Sequence, residues 1–152
     1  MKKRRLCLLL LLSLLLPLAA CAEKKPAFPA PEALYGELEA AGLPEMLPMG
    51  AEYLEAVTGV DPASCESFVY RLPADLGPEE ILLILATDDA AAEEIQQKLE
   101  RRLEDRRADA RRYLTEQLPV LDASLVRRDG RLVSLLITGD TEALRKVYGQ
   151  YR

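Results

Sequence analysis

The chain has 152 residues, with 20 Lys and Arg, 25 Asp and Glu, three Cys and no His or Trp. Its net charge of −5 argues against nucleic acid as a partner, because phosphate binding is driven by excess positive charge. Without His, the chain lacks the usual base for a catalytic thiol and the usual ligands of zinc or iron sites. The composition therefore predicts no cofactor, no metal site and no catalytic residues.

The N-terminus carries the pattern of an export signal. Four Lys and Arg at positions 2–5 precede an apolar stretch from Leu6 to Ala20, and a basic head before a short apolar run that ends in small residues is typical of such signals. The stretch has 15 residues, fewer than the ~20 that a helix needs to span a bilayer. We therefore favour a cleaved signal peptide at residues 1–20 over an uncleaved anchor.

The signal ends in Leu18-Ala19-Ala20-Cys21, which resembles the lipobox of bacterial lipoproteins. That resemblance implies a diacylglyceryl group on Cys21 and cleavage in front of it, so that acyl chains hold the protein on the extracytoplasmic face of the cell membrane. Loss of the four basic residues in the signal changes the net charge to −9 (16 − 25). Such an acidic domain is not attracted to anionic lipid, so stable anchoring depends on the acyl chains, and a single chain binds only marginally.

The segment after the signal is read as a spacer followed by one domain. Residues 21–31 contain Pro26, Pro29 and Pro31, which forbid a helix and favour an extended, solvated chain. The remaining residues, 32–152, suit one domain with one modest core. Because Cys7 leaves with the signal and Cys21 takes the lipid, Cys65 has no partner for an intramolecular disulfide. We interpret it as an unpaired structural thiol.

Apolar periodicity and breaker residues predict the secondary structure. The expected elements are, in chain order, helices at 32–41 and 51–58, a helical turn from Asp61-Pro62, strands at 66–72 and 81–87, a long helix from Asp88 or Asp89 to about Leu114, strands at 123–128 and 132–138, and a final helix capped by Asp140 and running through Tyr148. The segment Leu43–Met46 is read as a break, and Asp129-Gly130 is a strong hairpin signal.

This order predicts an α+β domain. Its core is a four-stranded antiparallel sheet with the connectivity β-β-α-β-β-α, packed against the long helix, with short N-terminal helices. The two most apolar strands should be central, and we expect the strand order 1-2-4-3. The apolar face of the long helix, at ~100° per residue, is expected to comprise Ala92, Ile95, Leu99, Leu103, Ala110, Tyr113 and Leu114.

Several short motifs along residues 32–148 resemble one family. They are Leu43-Pro44-Glu45-Met46, Val57-Thr58-Gly59-Val60-Asp61, Glu80-Ile81, Arg102-Leu103-Glu104 with Arg106, Tyr113 with Glu116-Gln117, and Ala123 with Gly130. The chain is similar to small lipoproteins of Gram-positive bacteria that share a domain of unknown function, number 4358 of its series. That family usually has a proline two places after the tyrosine, where this chain has Thr115. The resemblance implies a lipid-anchored domain with no assigned activity and no catalytic residues.

The long helix carries three pairs of arginines, at 101–102, 106–107 and 111–112. Because a spacing of five residues makes these arginine pairs spiral around the helix, they form no single stripe. Most of the arginines are interpreted as part of a solvated face that carries ion pairs such as Glu104 with Arg107. Arg106 is the exception, because it lies on the apolar face. One interpretation is that its side chain extends to solvent or forms a structural ion pair. The other is that it binds an anion or the carboxylate of a partner.

These patterns give a set of candidate residues and an expected function. Arg106, Arg102 and Tyr113 are the candidate ligand- or partner-binding residues, and we expect Arg106 to matter more than its neighbours. Leu43, Met46, Leu47 and Met49 are read as core or, alternatively, as a contact patch. The expected function is a non-catalytic module that binds or assembles with another envelope protein or a small ligand. An anionic-metabolite module with Arg106 in its site is the alternative, and an enzyme is the least favoured reading.

Overall fold

The computed structural model describes residues 27–139 and 141–151. The predicted signal peptide and Cys21 lie outside these residues, as does Asp140, the expected cap of the last helix. Within them, the helices are α1 (Pro31–Ala40), α2 (Ala51–Thr58), α3 (Asp89–Tyr113), α4 (Leu118–Ala123) and α5 (Thr141–Tyr148), and the strands are β1 (Met46–Pro48), β2 (Cys65–Pro73), β3 (Glu80–Ala86), β4 (Leu125–Asp129) and β5 (Leu132–Ile137). Two short 3₁₀ turns lie at Pro62–Ser64 and Thr115–Gln117.

The strands form one antiparallel sheet in the order β1-β2-β3-β5-β4. The α+β class is confirmed, and the expected order 1-2-4-3 is the order of β2, β3, β5 and β4. The expectation of four strands was wrong, because β1 adds a fifth at the edge, with Met46 opposite Pro73. Periodicity could not identify this strand, since it has three residues and depends on backbone pairing with β2.

Strands β3 and β5 are central, as predicted, and are covered on both faces. Leu82 and Ile84 point to the face covered by α2, α3 and α4, together with Tyr70 and Leu135. Ile81 and Leu83 point to the opposite face, which α1 and α5 cover. This burial on both sides explains why β3 is apolar from Ile81 to Ala86 and why β5 is apolar at every position except Ser134, where a strand with one solvated face would alternate.

The long helix α3 runs antiparallel to β3. The side chain of Asp88 caps its start by accepting a hydrogen bond from the backbone nitrogen of Ala91 at 2.8 Å. Its buried residues are Ala92, Ile95, Leu99, Leu103 and Ala110, all on the predicted face. The prediction that Tyr113 and Leu114 belong to that face was wrong, because they are 77% and 43% exposed. The helix ends at Tyr113, beyond the part that packs on the sheet.

The chain between α3 and the final hairpin also departs from expectation. Residues at 118–123 form the short helix α4, so the strand that was expected from Ala123 begins at Leu125. The predicted turn is present, and Gly130 adopts a left-handed φ of 62°, which a glycine tolerates without strain. Among the residues described, no helix is both long enough and apolar enough to cross a bilayer.

Candidate functional site

The most unusual group in the described part of the chain is the carboxylate of Glu80, which is 0% exposed. Glu80 is the first residue of β3, and its side chain lies on the face covered by α3. Arg102 of that helix donates two hydrogen bonds to it, from Nε to Oε1 at 3.0 Å and from Nη2 to Oε2 at 3.1 Å. A bidentate pair of this kind is among the strongest polar contacts in proteins.

Two further side chains complete this Glu80 cluster. Arg106, one turn along α3, has its Nη1 3.4 Å from Oε2 of Glu80, and its Nη2 donates to the carbonyl oxygen of Pro78 at 3.1 Å. The hydroxyl of Tyr70, on β2, donates to Oε1 of Glu80 at 2.9 Å. Each carboxylate oxygen therefore faces two donors, which compensates for the cost of burying a charge.

The charges in the cluster are fixed by its own contacts. Burial raises the pKa of the Tyr70 hydroxyl, and the adjacent Glu80 charge raises it further. Burial opposes the charged form of Arg102, but the hydrogen bonds and charge of Glu80 outweigh it and raise the pKa of that guanidinium. Tyr70 and Arg102 thus hold their protons at neutral pH. The arrangement suits a structural tie between α3, β2 and β3 better than proton transfer, which needs a group with a pKa near the working pH.

The structure brings two of the predicted site residues together and separates the third. Arg102 and Arg106 share the carboxylate of Glu80, so a ligand anion at either guanidinium would compete with a buried acid. Tyr113 lies near the exposed end of α3 and is not part of the cluster. Sequence reasoning missed Glu80 and Tyr70. The sequence did contain a signal for Glu80, because this acid directly precedes a six-residue apolar run. A strand that is buried along its length also buries its first residue.

Arg107 has more contacts than its assignment to a solvated face implied. Its Nε and Nη2 donate to the carbonyl oxygen of Leu121 at 3.1 and 2.9 Å, and Nη2 also donates to that of Ser124 at 2.8 Å. These carbonyls lie at the C-terminal end of α4, where the last carbonyls of a helix lack partners within it. The expected pair with Glu104 is also present, at 2.5 Å. Arg107 therefore joins α4 to α3.

Cys65 lies half-buried at the start of β2 and forms no disulfide within the described residues. Burial is the main reason that its pKa is raised, which keeps it in the thiol form and lowers its reactivity. In the described residues no group of three or more acidic or cysteine side chains is arranged to hold a metal ion.

The sheet has two ends that differ in character. At one end, Phe28 lies beside Leu85 and Gly130, and its ring packs 5.2 Å from those of Tyr148 and Tyr151. We call this the linker end, because the chain from the N-terminus joins the fold here. Leu85 is the last residue but one of β3, whereas Glu80 is the first. Glu80 therefore lies towards the opposite end of the sheet.

The opposite end, which we call the far end, carries exposed apolar side chains. They are Leu76, Tyr113 and Leu114, and the first of these is 95% exposed. The side-chain amide of Gln117 donates to the carbonyl oxygen of Leu76 at 3.2 Å, which joins the loop between β2 and β3 to the 3₁₀ turn that follows Tyr113. The three residues therefore belong to one region of the surface.

The segment expected to be either core or contact patch is mostly core. Leu43 and Met46 are buried, and Met49 packs against the main core. Leu47 alone of the four is largely exposed. The alternative contact patch at this segment is therefore not formed.

A family model described as "Domain of unknown function (DUF4358)" matches residues 39–138, well over half of the chain, so the chain belongs to that family. The resemblance noted from the short motifs is thereby confirmed at the level of the shared domain. The match covers Glu80, Arg102 and Arg106. We found no match among curated proteins or among solved structures.

Proposed function

We propose that this member of the DUF4358 family is a lipid-anchored, non-catalytic module that holds a partner protein at the extracytoplasmic face of the cell membrane. The observation that carries the proposal is the separation of the linker end from the far end. A chain tethered at Cys21 reaches the domain at Phe28, so the far end is the part of the sheet most distant from the point of attachment.

The spacing of the two ends supports this arrangement. Strand β3 spans seven residues, or ~20 Å at 3.3 Å per residue. Helix α3 has 25 residues, or ~37 Å at 1.5 Å per residue, and runs from beside the linker end to Tyr113. The far end is therefore separated from the tethered end by most of the length of the domain.

The character of the far end also supports protein binding. Leu76 and Tyr113 present apolar surface to solvent, and aromatic side chains are enriched where proteins meet. Two hydrogen bonds tie the loop that carries Leu76 to its surroundings, one from the side chain of Gln117 to the carbonyl of Leu76 and one from Arg106 to the carbonyl of Pro78. A pre-ordered surface loses little conformational entropy when a partner binds.

The anionic-metabolite alternative with Arg106 in its site has less support. Arg106 and Arg102 both lie against Glu80, so an anion would have to displace a buried carboxylate. An enzyme remains the least favoured reading, because the one buried charged cluster in the described residues is occupied by its own acid and donors.

Site-specific photo-crosslinking in the cells that make the protein tests the proposal. A photoreactive phenylalanine is placed at Leu76 or Tyr113, and at Asp89 as the control, which is an exposed position on the same helix at the linker end. We expect one and the same protein adduct from the two far-end positions and its absence from the control. No adduct at the far end, or the same adduct from all three positions, would contradict the proposal.

A further inference from the structure

We propose that the cleft between α5 and the outer part of the sheet binds a small amphipathic oxyanion, a carboxylate or phosphate monoester on an apolar body. The cleft has a volume of about 430 Å³ and is lined mainly by Ser124, Arg127, Leu136, Leu144, Arg145 and Tyr148. It lies on the opposite face of the sheet from the Glu80 cluster, and it does not depend on the far end.

The sheet builds one wall of this cleft through its alternation. Arg127 of β4 lies opposite Ser134 of β5, and Leu136 is two residues further along β5. Residues two apart on a strand point to the same face, so Ser134 and Leu136 share the face that α5 covers. The wall thus presents an arginine next to buried apolar surface.

Helix α5 supplies the other wall, with Leu144, Arg145 and Tyr148. Leu144 and Tyr148 are four residues apart, a spacing that keeps them on one side of the helix. Arg145 is adjacent to Leu144 in sequence. The ring of Tyr148 lies under the guanidinium of Arg127, whose Cζ is 5.3 Å from the ring centroid. This contact holds Arg127 over the cleft.

The cleft has more positive than negative charge, in a chain whose overall charge is negative. Among the described residues Arg127 forms one ion pair, with its Nη2 3.3 Å from Oδ1 of Asp129. Arg145 is exposed, and among the residues described its guanidinium forms no ion pair or hydrogen bond. Two guanidinium groups that meet a single carboxylate leave donors free for an oxyanion, which arginine binds in a bidentate manner.

The apolar part of the ligand follows from the rest of the lining. Leu144 and the accessible edges of Leu136 and Tyr148, which are otherwise buried, line the cleft together with the two arginines. Pockets of about 300–1,000 Å³ with a few polar groups are typical of small-molecule sites. A simple inorganic ion would leave this surface in water. An anion with an aromatic or short aliphatic body contacts both the charged and the apolar lining.

Ligand-observed NMR on the full chain in phosphatidylcholine nanodiscs tests the inference. The probes are phenylacetate and phenyl phosphate, which carry the two candidate oxyanions on the same ring, with inorganic phosphate, benzyl alcohol and phenethylammonium as comparisons. We expect at least one of the two phenyl anions to bind with a Kd of about 1 mM or lower, and the other three compounds to bind at least about tenfold more weakly. The preferred phenyl anion identifies the oxyanion.

A matched pair of variants localises the binding. Arg145→Gln removes a cleft guanidinium, and Lys146→Gln removes a neighbouring exposed cation that does not line the cleft. We expect about a tenfold loss of affinity for Arg145→Gln and less than about a twofold change for Lys146→Gln. Equal effects of the two variants, absence of binding by both phenyl anions, or equal binding of benzyl alcohol would overturn the inference.

Discussion

Arg102 and Glu80 form a bidentate ion pair across 22 residues of sequence, with Nε to Oε1 at 3.0 Å and Nη2 to Oε2 at 3.1 Å. The acid is fully buried, whereas the arginine keeps part of its side chain in solvent. This asymmetry fixes what substitutions should do. Removal of Glu80 leaves the guanidinium groups of Arg102 and Arg106 close together without a counter-charge. Removal of one arginine leaves Glu80 with the other arginine and with Tyr70 as donors.

The first prediction concerns Glu80 itself. Glu80→Ala should lower the free energy of unfolding by ~3–5 kcal/mol, because it breaks a buried pair by removal of one partner. Glu79→Ala removes the preceding acid, for which no ion pair is found among the described residues, and should change stability by less than ~0.5 kcal/mol. Urea denaturation followed by far-UV circular dichroism measures both. Equal effects of the two substitutions would show that Glu80 does not hold the cluster together.

The second prediction orders the two arginines. Arg102→Gln should cost ~2–3 kcal/mol and Arg106→Gln about 1 kcal/mol, because hydrogen bonds to a charged group contribute more when they are short and paired. Arg106 has one longer contact with Glu80, at 3.4 Å. The sequence predicts instead that Arg106 matters more than its neighbours. Thermal unfolding of the two variants decides the order, and a larger loss for Arg106→Gln would favour that earlier expectation.

The third prediction compares two buried tyrosines. The hydroxyl of Tyr70 donates to Glu80, so Tyr70→Phe should cost ~1.5–3 kcal/mol. The hydroxyl of Tyr148 is buried and finds no hydrogen-bond partner among the described residues, although the Ser134 side chain is close enough to affect its pKa. Tyr148→Phe should therefore leave stability unchanged or raise it. The two melting temperatures test this, and a loss for Tyr148→Phe as large as that for Tyr70→Phe would contradict it.

The fourth prediction concerns alkaline pH. Burial raises the pKa of Tyr70 above the ordinary 10.0 and raises that of Tyr148 to about 12. Above pH 10 these groups ionise in the unfolded chain but stay protonated in the folded one, so the unfolded state binds fewer protons and stability falls as pH rises. Each group contributes a slope of up to ~1.4 kcal/mol per pH unit.

Tyr70→Phe isolates one of these contributions. The free energy of unfolding is measured in urea at about pH 9 and about pH 11, on either side of the ordinary tyrosine pKa. The variant should lose less stability between the two conditions than the unsubstituted protein. An identical loss in both proteins would mean that Tyr70 does not titrate differently in the two states.

Local patterns in the sequence predicted much of the fold. The continuous apolar run at 81–86 and the mostly apolar run at 132–137, interrupted by Ser134, identified the two central strands. Asp129-Gly130 located the hairpin, because burial on both faces and a left-handed turn each leave a local signal. Acids at the start of α3 and arginines near its end matched the helix dipole. These features depend on residues that are close in sequence.

The departures arise from contacts between distant residues. Strand β1 exists because it pairs with β2, about 25 residues away, and a three-residue strand has no period of its own. The exposure of Tyr113 depends on where the sheet stops beneath α3, which the helix sequence does not contain. The Glu80 cluster depends on the register of α3 against β3, so the sequence could indicate an unusual position for Arg106 but could not identify its partner.

The central claim is that the domain acts while tethered through Cys21, and metabolic labelling with an alkyne fatty acid tests it most directly. The comparison uses the unsubstituted protein, Cys21→Ser and Cys65→Ser, which removes the half-buried thiol at the start of β2. We predict label and membrane retention for the unsubstituted protein and for Cys65→Ser, and neither for Cys21→Ser, which should also keep its signal peptide. Labelling and membrane retention of Cys21→Ser at the level of the unsubstituted protein would contradict the claim.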